Sequence, residues 1–413
     1  MSYTYDINTS KNDKRSTICL SVCHSMYSII NLFITTFLIA HIYSLTTDLF
    51  SYAITVGIYQ LSSHVTILLT YFLFSKILDR TNRIWMYRLG CFMEAALVIV
   101  AIFYGKDLAK IVILAGFLNG CMKGMYYSSY NLLKQEMVSR KSMGNYVVFV
   151  NILIKIINIV CPILLGALIE ISSFGMAAIC ILIICIIQTI VSFFVKAKRP
   201  EKSNFNLMQY LRKLKENPQL AKNIRFIYLI GITYSCSIIV SALLNINIMM
   251  HLGSNFSLGL ITSVFAAVAI IVLILLNKFT KIGKRSWLLI LVACLQVTGA
   301  IIFSVFPNVP TLIIYNFTLA VCDVIIVTIY DIHRNKNLKE AGMYDDIAEH
   351  QCVVESILQF FRAISFAILI VLGLIRSYIL FQIFFVIFMI IYALTAILLM
   401  LYEKKYIKEN KEK

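Results

Sequence analysis

Apolar runs of spanning length recur from one end of this chain to the other, and they leave it little choice of fold. The hydrocarbon core of a bilayer is about 30 Å thick, so a helix crosses it with about 20 predominantly apolar residues. Runs of that kind lie at approximately 17–40, 49–74, 85–103, 109–133, 145–170, 176–195, 224–250, 256–276, 286–305, 311–330, 352–375 and 378–402. They predict an all-α membrane protein with twelve transmembrane helices. Composition agrees: 60% of the 413 residues are hydrophobic, 14% are charged and the mean hydropathy is +0.85, too apolar for a water-soluble surface of this size. The first sixteen residues are polar and the first apolar run is already of spanning length, so no removable signal peptide is expected.

A net charge of +17 invites a nucleic-acid reading, and the distribution of that charge removes it. If the odd-numbered connections face outward, nearly every Lys and Arg falls inside: Lys11, Lys14 and Arg15; Lys76, Arg80, Arg83 and Arg88; Lys134, Arg140 and Lys141; the central linker; Lys278 to Arg285; Arg334 to Lys339; and the tail from Lys404. Outside remain Lys106, Lys110 and Arg376. This is the positive-inside pattern, and it places both termini in the cytoplasm of a cell membrane. Eleven cysteines, almost all inside apolar runs, form no CxxC pair and no Cys/His cluster with metal spacing; they read as small buried hydrophobes.

The chain also repeats itself. A shift of 202 brings Trp85 onto Trp287 and Glu94 onto Gln296, and a shift of 200 brings Lys123 onto Asp323 and Tyr130 onto Tyr330. At a shift of 204, Asn151, Lys155 and Asn158 match the spacing of Glu355, Gln359 and Arg362. Two pseudo-symmetric six-helix halves follow, residues 1–195 and 224–413, joined by a cytoplasmic linker, 196–223. Within the linker, FNLMQYLRKLK places Phe205, Met208, Leu211 and Leu214 on one face of a helix suited to the membrane interface; a solvated tether is the equal alternative.

The stretch SKILDRTNRI, between the second and third runs, carries Asp79, Arg80 and Arg83 in a chain poor in charge. With the two six-helix halves, it resembles the major facilitator superfamily, whose loop motif has the form G-x-x-x-D-R-x-G-R-R. Ser75 and Asn82 stand at its glycines and Ile84 at its last basic position; NKFTKIGKR is a degenerate second copy with Gly283 and Lys284 kept and Thr280 where the acid would be. The resemblance implies a gating loop of Asp79, Arg80 and Arg83, a carboxylate latched near a helix N-terminus and Arg side chains in one conformation only. A second resemblance is to the fifth-span motif of exporters in that superfamily, G-P-x-x-G-G: NIVCPILLGAL keeps Pro162 and Gly166, a hinge in this reading, with Cys161 and Leu165 at glycine positions. The fourth span has Gly116 where such exporters place an Arg.

Ionisable residues deep in apolar spans face a cavity or a partner, because charge in hydrocarbon is costly. Here they are Glu94, Lys123, Lys155, Asp323, Glu355 and Arg362. At 100° per residue Asn119, Lys123, Tyr127 and Tyr130 share a stripe, beside a small-residue seam of Gly116, Gly120, Gly124 and Ser128. The expected substrate and proton pathway is Glu94, Asn119, Lys123, Tyr127, Asn151, Lys155, Asp323, Glu355, Gln359 and Arg362, with Lys123 and Asp323 a candidate charge pair, and Lys155 or Arg362 another with Glu94 or Glu355. His24, His41 and His64 read as polar helix or interface residues, and most Tyr and Phe as lipid-facing or interfacial.

No Gly-rich phosphate loop, HExxH, GxSxG or soluble domain is present, so neither an enzyme nor an ATP-driven pump is expected, and no cofactor or metal. The sequence reads as a secondary transporter, a functional monomer in the lipid bilayer, moving a small-molecule substrate by alternating access and more in the manner of proton-coupled efflux by antiport. Alternatives are an uptake or facilitated-diffusion carrier for a sugar, peptide or lipid-linked solute, and a non-transporting receptor or accessory protein. Abundant Ile, Lys and Asn point to an AT-rich bacterial genome.

Overall fold

The structure is a computed structural model that describes residues 7–46, 48–78, 83–137, 143–196, 205–252, 254–279, 286–340 and 346–411, and every regular element among these is helical. The first rod is α1 (Ile7–Leu32), a π-helical turn at Phe33–Leu38, and α2 (Ile39–Ser44). Then come α3 (Leu49–Leu78), α4 (Arg83–Tyr104), α5 (Val112–Met137), α6 (Met143–Ile171) and α7 (Phe174–Ser192). A short α8 (Leu207–Glu216) precedes α9 (Pro218–Tyr234), α10 (Cys236–Leu252), α11 (Asn255–Phe279), α12 (Ser286–Val305), α13 (Val309–Glu340), α14 (Ile347–Ile375) and α15 (Tyr378–Lys411).

Ten segments among the described residues are long and apolar enough to cross a membrane; α1 with α2 forms one, and α9 with α10 another. The remaining long helices, α4 and α5, have 22 and 26 residues, about 33 and 39 Å at 1.5 Å per residue, enough to span. They are also the helices that carry Glu94 and Lys123. Twelve rods of spanning length therefore lie among the described residues, consistent with the twelve runs of the sequence. Two boundaries differ from expectation. The seventh rod begins at Pro218, because the Asn217 side chain accepts the Leu220 amide at 3.1 Å and Pro sits at the first helical position, where its missing N–H is no loss. The tenth does not stop at 330 but continues as α13 to Glu340, which makes Arg334 a helix residue rather than a loop charge.

Contacts divide the chain into two compact units, Met1–Thr46 with Ile58–Phe205, and Thr47–Gly57 with Asn206–Lys413. Each has the same internal packing scheme. In the first, α4 packs on α5 and α7, and α1 on α6 and α7; in the second, α12 packs on α13 and α15, and α9 and α10 on α14 and α15. Residues matched by the internal repeat share environments: Trp85 and Trp287 are exposed near the starts of α4 and α12, whereas Glu94 and Gln296 are both fully buried.

The small-residue seam of α5 lies against α3 within the first unit. A methyl group at Gly116 would stand 2.3 Å from the Tyr59 carbonyl oxygen, one at Gly120 2.5 Å from that of Ser63, and one at Gly124 2.3 Å from Thr70 Oγ1. Polar contacts fix the register: the Asn119 amide donates to Ser63 Oγ at 2.9 Å and the Ser62 hydroxyl to the Ile113 carbonyl at 2.9 Å. In the second unit the start of α3 meets α14 in the same manner, for a methyl group at Gly57 would lie 2.6 Å from Ile370 and one at Gly373 2.6 Å from Ile54. Asp48 caps this end of α3: its Oδ1 accepts the Phe50 and Ser51 amides at 2.9 and 3.0 Å, and Arg376, the left-handed C-cap of α14, comes within 3.9 Å. The Ser51 amide and hydroxyl, with smaller help from the Phe50 amide and Arg376, hold the Asp48 carboxyl below its usual range.

Candidate functional site

The deepest polar cluster of the first unit surrounds Glu94, at the middle of α4 and fully buried. Neither of its carboxyl oxygens makes a well-formed hydrogen bond. The polar side chain beside it is Gln188 of α7, itself fully buried and the nearest group able to donate to the carboxyl. Tyr27 of α1, Tyr126 of α5 and Cys185 of α7 lie within its electrostatic reach. Four helices thus converge on one acid.

Aromatic rings build the rest of this wall. Tyr27 stacks on Tyr126 at 3.8 Å between centroids, Tyr87 lies 5.1 Å from Tyr126, and Tyr127 meets Tyr27 edge-on at 5.2 Å. His24 stacks on Tyr130 at 3.9 Å, and its Nδ1 is 3.0 Å from the Tyr126 hydroxyl, with the tautomer deciding which group donates. The i to i+3 spacing of His24 and Tyr27, and the i to i+4 spacing of Tyr126 and Tyr130, put each pair on one helix face, so two helices supply a continuous aromatic deck. A charge on a carboxyl so deeply buried costs several kcal/mol unless a counter-charge or a proton answers it. Chemically, a carboxyl in such a place is a candidate to take up a proton.

The second unit centres on Asp323 of α13, which accepts a hydrogen bond from the Tyr392 hydroxyl of α15. Tyr234 of α9 joins it, with ring centroids 5.2 Å from Tyr330 and 6.3 Å from Tyr392. A second group lies further along α13: Arg334 donates to Glu355 of α14 at 2.8 Å, with Arg362 and Gln359 also beside that carboxylate. His350 Nε2 donates to the Arg334 carbonyl at 3.2 Å, which leaves Nδ1 to accept from the Tyr210 hydroxyl of α8 at 3.0 Å in the neutral ring.

Several sequence expectations change here. The direct ionic partner of Glu355 is Arg334, which lies on α13 beyond the end expected for the tenth span rather than in a basic loop. Asp323 is bonded to Tyr392 within its own unit. Asn119 is buried and donates to Ser63 Oγ. Lys123, Tyr127 and Lys155 are half-buried, Asn151 is exposed, Gln359 is buried, and Pro162 and Gly166 are buried inside an unbroken α6. Of the gating loop, Arg83 is buried at the start of α4, while Asp79 and Arg80 lie outside the described residues, as does the second copy at 280–285. Tyr27, Tyr59, Tyr87, Tyr126, Tyr330 and Tyr392 are fully buried, and so are exceptions to the expectation that most Tyr and Phe are lipid-facing or interfacial. His24 was read as an ordinary polar helix residue; its i+3 tyrosine was the signal that it faces inward. Among the described residues no group of three or more His, Cys, Asp or Glu could hold a metal ion.

The sequence matches the family model described as Major Facilitator Superfamily over residues 17–337. No curated protein matches it significantly. Similar solved structures include a bacterial homologue of the iron transporter ferroportin in an inward-facing state, with TM-score 0.63 and 11% identity over 97% of this chain and 99% of that one. The nucleoside transporter NupG has TM-score 0.65 and 12% identity over 95% and 99%, and an auto-inhibited peptide transporter of the POT family has TM-score 0.69 and 9% identity over 95% and 97%. At such identities the likeness is one of fold.

Proposed function

Because the chain belongs to the major facilitator superfamily, a family of multi-pass membrane transporters, we propose that it exports a small amphiphilic, weakly basic or zwitterionic solute in exchange for protons, by alternating access of its two units. The observation that carries this reading is Glu94, a fully buried acid with no counter-charge beside it among the described residues, next to Gln188, Tyr27 and Tyr126. An acid of this kind takes a proton or a cationic solute in turn, and mutual exclusion at one carboxyl is the simplest basis of antiport. Asp323 with Tyr392 and Tyr234 supplies a second acid among aromatics in the second unit. Lys123, Lys155 and Arg362 extend the pathway, Pro162 and Gly166 give α6 a place to bend, and Asp79, Arg80 and Arg83 form the gating loop. Support for export rests on the partial fifth-span motif, and support for cytoplasmic termini in a bacterial plasma membrane on the basic loops. One chain carries both units, so a monomer suffices.

Purified protein in liposomes tests the reading. One pH unit across the membrane corresponds to about 1.4 kcal/mol, enough for about a tenfold solute gradient in one-for-one exchange. With a panel of weakly basic amphiphiles, wild type accumulates solute against its gradient when the pH gradient is imposed, and Glu94→Gln equilibrates it without accumulation. Solute movement that ignores the gradient in wild type refutes proton exchange and leaves a facilitated-diffusion carrier. Unchanged accumulation by Glu94→Gln removes Glu94 from the coupling.

A further inference from the structure

The linker helix α8 is pinned on one side and open on the other. Tyr210 and Leu214 pack with Leu220 and Ile224 of α9 in a buried apolar cluster. Polar ties fix the same side to the start of α14: Lys213 Nζ lies 2.7 Å from Asp346, the Asn206 amide donates to Glu349 at 3.0 Å, and the Tyr210 hydroxyl meets His350 at 3.0 Å. Of the face at 205, 208, 211 and 214, Leu214 joins this buried side, whereas Met208 and Leu211 do not. Met208 is 77% and Leu211 39% exposed, and Arg212 and Lys215 are exposed with them. Spaced i, i+3, i+4 and i+7, these four form a single outward stripe, half apolar and half basic.

The stripe opens into a groove of about 950 Å³ between α8 and α9, whose far wall holds Ala221, Ile224, Arg225 and Tyr228, again at i, i+3, i+4 and i+7. Lys213 is answered by Asp346, which leaves Arg212, Lys215 and Arg225 facing the one acidic residue of the lining, Glu216. We propose that this groove binds the phosphate-bearing headgroup of an anionic lipid in the leaflet on the linker's side. Phosphate suits Arg on two walls, since each guanidinium offers a fork of donors. A lipid rather than a soluble phosphate is favoured by Met208 and Leu211, which stand exposed beside the charges and gain only from acyl chains. The far wall belongs to a segment long and apolar enough to span, Pro218–Asn245, so the groove adjoins the membrane surface. This site does not depend on the transport reading.

The full-length protein in detergent is titrated with dioleoyl phosphatidylglycerol, dioleoyl phosphatidylcholine and inorganic phosphate, and bound lipid is counted by native mass spectrometry. A diazirine-bearing phosphatidylglycerol in nanodiscs maps the site by peptide analysis. The expected result is retention of phosphatidylglycerol at least about tenfold above phosphatidylcholine, with adducts between 206 and 228, and a loss of about fivefold for each charge removed in Arg212→Gln, Lys215→Gln and Arg225→Gln. The Arg212→Lys/Arg225→Lys variant keeps the charge and retains most of the binding. Equal retention of the two lipids, adducts elsewhere, or undiminished binding by the triple Gln variant overturns the proposal. Displacement of phosphatidylglycerol by millimolar inorganic phosphate alone also overturns it, in favour of a soluble phosphate site.

Discussion

Replacement of Gly120 by Ala tests how α5 is seated. The added methyl would lie 2.5 Å from the Ser63 carbonyl oxygen and 2.5 Å from Thr66 Cβ, whereas ordinary contact begins at 3.4 Å. The helices must separate by the difference, 3.4 − 2.5 = 0.9 Å, and at Gly116, opposite the Tyr59 carbonyl, by 3.4 − 2.3 = 1.1 Å. Backbone cannot rotate away as a flexible side chain would, so the strain is shared along the seam. It also pulls on the 2.9 Å contacts from Asn119 to Ser63 and from Ser62 to Ile113. Overpacking of this kind costs about 1–3 kcal/mol, which for a unit of roughly 200 residues lowers the melting temperature by roughly 2–4 °C per kcal/mol. The eleven free cysteines make the assay simple, because a thiol-reactive dye reports their exposure as the protein unfolds. Gly105→Ala is the internal control, since nothing lies within 4 Å of the added carbon there. Expected are drops of several degrees for Gly116→Ala and Gly120→Ala and none for Gly105→Ala. If all three melt together with wild type, the seam is looser than the geometry states and the reasoning fails.

The ion pair of Arg334 and Glu355 is largely buried, so Glu355→Ala strands the guanidinium and destabilises by about 3 kcal/mol. The apolar double variant Arg334→Met/Glu355→Leu recovers most of the melting temperature; if liposome transport returns with it, the pair is structural only. At the far end of α14, Asp48→Ala lowers the melting temperature more than Arg376→Ala, because the cap satisfies two helix amides while the ion pair is exposed and 3.9 Å long. The folded carboxyl of Asp48 titrates below its ordinary 3.8, so its contribution is complete above that pH and fades only as pH falls through the lower folded value. Melting curves of wild type minus Asp48→Ala that already converge between pH 7 and 5 would contradict this sign.

What could be read from the sequence was whatever one helix states by itself. Twelve runs, the repeat, and the stripe of Gly116, Gly120 and Gly124 all follow from spacing along one segment, and the structure seats that stripe against α3. What could not be read was which helix faces which. Glu355 was legible as a buried acid, but its partner Arg334 sits on a neighbouring helix, in a stretch whose polarity resembles a loop. Tyrosine misled for a related reason: its ring is apolar and its hydroxyl polar, so periodicity does not separate a membrane-interface Tyr from one such as Tyr126, held in a deck by Tyr27 and Tyr87.

The two units share a packing scheme yet have placed their acids differently, and that divergence bears on coupling. Glu94 of α4 corresponds to Gln296 of α12, and both are fully buried with unpaired polar atoms, so the equivalent place is kept while its capacity for charge is not. Lys123 of α5 corresponds to Asp323 of α13, a reversal of sign at the other equivalent place. Each unit therefore holds one acid among tyrosines, on its third helix in the first unit and its fourth in the second. An amide occupies the volume of a carboxyl but cannot gain or lose a proton. A difference in response between the two conformations is the only quantity by which a bound proton or solute can shift an equilibrium between them. The repeat supplies two matching bundles whose symmetry is broken at 94/296 and 123/323, and under the proton-exchange proposal these are the places where the two units differ.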